Sequence, residues 1–171
     1  DDRSRILVVE ADAQLLRATS QLLRQAGYQV LEATSGEQGW CLAAKHRPEL
    51  LLVAVDLPDV DGMEFCQKLK AAPALSGSLV VLVSAIKASS EDKALGLESG
   101  ADGYIVQPIP RREFLAQVQA LLRLQRALVE RDAAAESRYR TVSELASDYA
   151  YAFRIQPDGD LVSEWVTGAL T

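Results

Sequence analysis

Three short runs of branched apolar side chains punctuate the chain: "ILVV" at residues 6–9, "LLLVAV" at 50–55 and "LVVLVS" at 79–84. None alternates with polar residues, so each reads as a strand buried on both faces, as in a parallel sheet covered by helices. Two weaker strands, "YQVLEA" (28–33) and "GYIV" (103–106), complete a set of five. Between them lie helical patterns: "AQLLRATSQLLRQAG" stopped by Gly27, "GEQGWCLAAKH", "GMEFCQKLKAA", and "SSEDKALGLESG" closed by Gly100. This alternation predicts an α/β chain with right-handed crossovers, an open, doubly wound five-stranded parallel sheet, and any site at the carboxyl ends of the strands.

A fifth helix is expected from near Arg111. Phe114, Val118, Leu121 and Leu122 suit packing on the sheet, and "LLRLQRALVERDAAAESRYR" continues as helix former for several more turns. Leu121, Leu124, Leu128 and Ala135 fall near a 3-4 spacing that Arg131 interrupts, which is compatible with a short parallel coiled coil. The last segments, "YAYAFRIQ" and "LVSEWVT" around "PDGD", predict a hairpin turning at Pro157 to Asp160. A lone hairpin is marginal in water, so residues after about 140 read as the start of a second domain.

Composition adds bounds. With 49% hydrophobic and 25% charged residues the 171-residue chain is globular, large enough for one full domain and an appendage. A net charge of −6 and the lack of a basic stripe are read as excluding a nucleic-acid partner, since backbone affinity comes from clustered Lys and Arg. No apolar run reaches membrane-spanning length and "DDRSRILVVE" lacks a signal-peptide order, so no membrane partner is expected and the location is read as cytoplasmic. Cys41 and Cys66 sit in apolar helical patterns without metal-ligand spacing and read as buried thiols. His46, the only histidine, stands where a helix meets Arg47 and Pro48, a surface or capping place. Trp40 reads as core. No Ser-His-Asp or Cys-His arrangement points to an enzyme.

The residues expected at the carboxyl edge of the sheet are Glu10 and Asp12 after strand one, Ala54 through Asp56 after strand three, Ser84 after strand four, and Gln107 before Pro108. With the ordered motifs "ILVVEAD", "GYQVLEATSGEQG", "RPELLLVAVDLPDVDG", "VVLVSA" and "GLESGADGYIVQPI", residues 4 to 125 resemble the receiver domain of two-component response regulators. The resemblance implies a (βα)5, flavodoxin-like fold and a phosphorylation switch: an acid pair after strand one, an acceptor aspartate ending strand three, a Ser or Thr ending strand four, and a lysine before a proline. Chemically, a carboxylate attacks phosphorus, a magnesium ion offsets the phosphate charge, and the lysine and hydroxyl hold phosphate oxygens.

Carried over position by position, that set is depleted. Four residues before Pro58 the acceptor position holds Ala54, whose methyl has no lone pair with which to attack. The second acid of the pair falls on Ala11, leaving Glu10, and the lysine position holds Gln107. Ser84 matches, as does Tyr104 at the family's aromatic switch position. Asp56 lies where the family lends a backbone carbonyl to the metal. A partly buried lysine beside a methyl would be an unpaired charge costing ~3 kcal/mol, and Gln107 avoids that cost. Asp12 also reads as a helix cap. Gln107–Pro108 matches a cis peptide that the family carries after strand five.

The resemblance therefore implies a pseudo-receiver: a noncatalytic signalling module with no cofactor and poor magnesium binding, acting through a protein partner or a homodimer. Its contact surface would be the face of helix four, strand five and helix five bearing Tyr104, or the extended helix. Residues 141–171 resemble the opening of a PAS domain. This gives a receiver-like domain over 1–125, a helical linker over 126–140 and a truncated PAS-like segment, coupled to an output that in similar proteins is often a histidine kinase or a diguanylate cyclase. Two alternatives stay open: phosphorylation of an offset acid such as Asp56, and a neutral pocket that senses a small molecule.

Overall fold

The computed structural model describes residues 3–85, 89–145, 150–155 and 161–167, with side chains as far as residue 136. The chain divides into two compact units, Asp1–Ala127 and Leu128–Thr171.

In the first unit the elements alternate as the apolar runs predict: β1 (Arg5–Val9), α1 (Ala13–Gln25), β2 (Gln29–Ala33), α2 (Gly36–His46), β3 (Leu50–Ala54), α3 (Gly62–Ala71), β4 (Leu79–Ser84), α4 (Ser90–Glu98), β5 (Gly103–Val106) and α5, which runs Arg111–Leu145. All pairings are parallel and the strand order is β2-β1-β3-β4-β5. The order reverses between β1 and β3, the place where open α/β sheets leave a crevice.

Successive strand residues point to opposite faces, and the core divides accordingly. Leu7, Val9, Leu51, Val53, Val80 and Leu82 pack with Ala43 of α2 and with Phe65, Cys66 and Leu69 of α3. Ile6, Val8, Leu50, Leu52, Val81 and Ile105 pack on the other face with Leu16 and Leu23 of α1 and with Phe114, Val118 and Leu122 of α5. Because both faces are covered, every residue of β3 is buried, Ala54 included at 5% exposure.

Local chemistry sets the helix ends. The Asp12 side chain accepts from the N–H of Gln14 (2.9 Å) and Leu15 (3.1 Å), capping α1 as the sequence predicts. Asp61 caps α3 through Met63 (2.8 Å), and Ser89 with Asp92 forms a capping box on α4. Gly27 (φ 98°) and Gly100 (φ 103°) end α1 and α4 in the left-handed region. A short 3-10 turn, Pro73–Leu75, lies between α3 and β4, where the apolar pattern gave no element. The thiol expectation holds for Cys66 and fails for Cys41, which is exposed. The buried positions of α2 are Gly36, Gly39 and Ala43, and at 100° per residue Cys41 turns away from them.

At the amino-terminal edge of the sheet α5 is fastened by polar contacts: Gln125 Nε2 donates to Gly77 O (3.0 Å) and an Arg126 guanidinium nitrogen donates to Ser4 Oγ (2.8 Å). Along the same helix Leu124 and Leu128 are 50% and 44% exposed. In the second unit β6 (Ala150–Ile155) and β7 (Leu161–Thr167) form the antiparallel hairpin expected from the sequence, with an irregularity between Ala152 and Phe153. Its turn at Pro157–Asp160 lies outside the described residues. Among the described residues no helix is long and apolar enough to cross a membrane.

One core position breaks a local rule. Ser20 lies between Leu16 and Leu23 on the inward side of α1, fully buried, and its hydroxyl has no hydrogen-bond partner among the described residues. An unsatisfied buried hydroxyl costs about 1–3 kcal/mol, and alanine is the better helix former. Ser20→Ala is therefore expected to raise the unfolding free energy by about 1 kcal/mol in urea titration; a destabilised variant would show that the hydroxyl is satisfied.

Candidate functional site

Parallel register brings the strand ends to one edge. Val9 is opposite Val53, Ala54 opposite Val83, and Ser84 opposite Val106. The ladder continues one residue further: Glu10 N donates to Ala33 O (2.9 Å), Val55 N to Val83 O (3.0 Å) and Gln107 N to Ser84 O (2.7 Å). Glu10, Ala54, Ser84 and Gln107 thus share the carboxyl edge, and the Gln107–Pro108 peptide is cis as expected.

Three of these residues line one small void. Glu10, Ala54 and Gln107 meet there with Val8, Val9, Leu52, Val83, Thr19 of α1 and Phe114 of α5. Its volume of about 10 Å³ admits a single water at most. Ser84 is buried but does not line it, and Ala11 and Asp56 are both exposed. Thr19 and Phe114 were not picked out as site residues. Thr19 stands midway between Leu15 and Leu22 on one side of α1, and that helical spacing is the signal that places it at the edge.

The loop after β3 is fixed from both sides. Gly62 N donates to Val55 O (2.9 Å), and a Cβ at position 62 would fall 2.4 Å from Ala54 O, so only glycine fits. An isolated antiparallel bridge joins Asp56 to Asp61. Asp59 crosses to α2, its two carboxylate oxygens accepting from Gly36 N (2.8 Å) and Glu37 N (2.9 Å). Those bonds at a helix amino terminus hold its carboxyl below the usual aspartate value. Glu10 is shifted the other way. Burial raises its pKa most, with the negative charges of Asp12 and Asp56 adding, against the hydrogen bond in which Glu10 Oε1 accepts from Asp12 N (3.0 Å). Tyr104 is half-buried against α4, where a Cβ on Gly96 would come within 2.6 Å of its ring.

The domain model for response regulator receiver domains matches residues 6–119. The chain belongs to this family. It is 37% identical over 119 residues to the DNA-binding dual master transcriptional regulator RpaA of Synechocystis sp., covering 70% of this chain and 49% of that protein. It is 39% identical over 121 residues to the DNA-binding response regulator MtrA of Mycolicibacterium paratuberculosis, covering 71% and 52%. The crystal structure of a CheY-like receiver domain protein from Methanospirillum hungatei superposes with a TM-score of 0.68 at 30% identity, over 74% of this chain and 98% of that one. The chain spans about half the length of the curated relatives it matches.

These relatives correct one expectation. An acidic balance was read as excluding a nucleic-acid partner, yet regulators named for DNA binding share this receiver region at 37–39% identity. Net charge reports on the surface of the region summed, and about half of each relative lies outside the matched part. The charge of a receiver domain is silent on what the rest of such a protein binds.

Magnesium, which the family resemblance implies, does not fit the donor set. The ion needs near-octahedral oxygen ligands. Ala11 and Ala54 offer no side-chain oxygen, the Asp12 carboxylate is engaged by Gln14 N and Leu15 N, and Glu10 Oε1 is engaged by Asp12 N. No group of three His, Cys, Asp or Glu placed to hold a metal occurs among the described residues.

The Glu10 shift carries a pH prediction. A carboxyl whose folded pKa is raised contributes stability below its ordinary value of 4.5 and loses that contribution as pH rises through the folded pKa. Glu10→Gln keeps an oxygen for Asp12 N and removes the charge. The variant is expected to be more stable than the parent at pH 7, and the difference to vanish at or below pH 4.5, as read by denaturant titration at both values. A gain that persists unchanged in acid would assign the effect to packing.

Proposed function

We propose that this receiver domain is a pseudo-receiver, a noncatalytic signalling module that works without an acyl phosphate. The observation behind this reading is Ala54, buried at the carboxyl end of β3 where the resemblance places the acceptor aspartate. A methyl group has no electron pair with which to attack phosphorus. Gln107 lines the same void and Ala11 stands in the acid pair, which leaves Glu10 there with neither the lysine nor the second acid. Asp56 does not replace the acceptor, because it is exposed on the bridged loop and does not line the void.

On this reading the domain (residues 1–125) acts by protein interaction, with Tyr104 and the exposed Leu95 and Leu97 of α4 contributing contacts. Its state passes along the helical linker (126–140) to residues 141–171, read as the opening of a PAS domain, and on to an output. A DNA-binding output of the sort named in the relatives fits this scheme.

Incubating the full chain with acetyl phosphate and magnesium, followed by intact mass measurement, tests the proposal. The parent chain is expected to gain no phosphoryl group, and the triple variant Ala11→Asp, Ala54→Asp, Gln107→Lys to gain one that hydroxylamine removes. A hydroxylamine-labile phosphoryl group on the parent, mapped to Asp56 or any other acid, would sink it.

A further inference from the structure

Beside the acceptor void lies a second, larger cavity. Leu15, Ala18 and Leu22 of α1 form one wall, and Ile109 and Phe114, from the segment after β5 and the first turn of α5, form the other. It is a hollow open to solvent, of about 340 Å³, within the range of about 300–1,000 Å³ typical of small-molecule sites. Thr19, Gln107 and Phe114 line both spaces, so the two adjoin. Among the described residues no charged side chain lines the larger one, and the polar side chains on it are those of Thr19 and Gln107.

We propose that this cavity binds a compact, uncharged, mainly apolar molecule carrying one hydrogen-bonding group that meets the Gln107 amide. The inference rests on the pseudo-receiver reading above and adds a ligand to it; the acceptor void itself is too small for one. Among the described residues the lining offers an ion no counter-charge, which favours an uncharged occupant. A concave small-molecule site also suits the exposure pattern. The well-exposed large apolar side chains, Leu95, Leu97, Leu124, Leu128 and Val129, all lie elsewhere, so the apolar surface of α1 here faces a hollow and not a protruding patch. An occupant would touch α1 and α5 together and tighten the first turn of α5 against the sheet.

The probes are benzamide and its charged counterpart benzoate, titrated into the 15N-labelled full chain. Benzamide is expected to move the amide signals of Leu15, Thr19, Leu22, Ile109 and Phe114 saturably, and benzoate to leave them in place. Ala18→Phe, or the smaller filling Ala18→Met should the first fail to fold, is expected to abolish the response while distant amide signals stay unchanged. Gln107→Leu is expected to weaken benzamide about tenfold, the loss of one hydrogen bond, and to spare toluene. Silence toward benzamide, an equal response to benzoate, or a response untouched by filling the cavity overturns the proposal. So does a response that follows protein concentration instead of probe, which would make the hollow an interface between copies. Silence without a phosphoryl adduct on the parent chain removes this inference alone, whereas an adduct removes the pseudo-receiver reading.

Discussion

The constraint on which the structure turns is the burial of the β3 terminus. A central parallel strand with helices on both faces has no wet side, so its last side chain, at position 54, is almost completely out of water. A carboxylate there must be met by cations and donors or stay protonated; a methyl group asks for nothing. With position 54 apolar, a lysine at 107 would lack its principal partner, whereas glutamine brings no charge to the same void. The void of about 10 Å³ beside Ala54 is lined mainly by apolar side chains, in keeping with a methyl group at that position.

The frame of this edge is held by local contacts. Gly62 lets the loop lie against the Ala54 carbonyl, Asp59 spans to the first N–H groups of α2, and Asp12 caps α1. These interactions hold the edge in shape and none depends on phosphate or metal. Glu10 is the ionisable group that remains on the void, and burial pushes it toward its neutral form, in line with its surroundings.

Much of this was legible in the sequence because the period-2 and period-3.6 signals were strong. The unbroken runs at 6–9, 50–55 and 79–84 specify strands buried on both faces, and Gly27 and Gly100 mark helix ends whose φ angles they alone tolerate. The identities at 10, 11, 54 and 107 were equally plain, since a motif fixes them by counting. The remainder depends on tertiary geometry. One apolar stretch is not one buried face, so Cys41 is exposed where its pattern predicts burial, and no local signal marks Asp59, whose partners are 22 and 23 residues away. Phe114 belongs to a helix whose approach to the strand ends no local pattern encodes. Net charge misled about partners, because a sum over one region carries no information on the region beside it.

The same geometry bears on how the carboxyl edge of the sheet communicates along α5. Phe114, in the first turn of α5, lines both spaces at the carboxyl edge, while Gln125 and Arg126 fasten the helix to Gly77 and Ser4 at the opposite edge. Eleven residues at 1.5 Å rise separate Phe114 from Gln125, about 16 Å along one hydrogen-bonded rod. Val118 and Leu122 keep that rod against the sheet between the two ends. A close-packed core does not absorb a displacement at one end by smooth deformation; it shifts between discrete packings. An event that changes how Phe114 seats is therefore felt at Gln125, and α5 continues from there to Leu145. The coupling element is the helix itself, held against the sheet between Phe114 and Gln125.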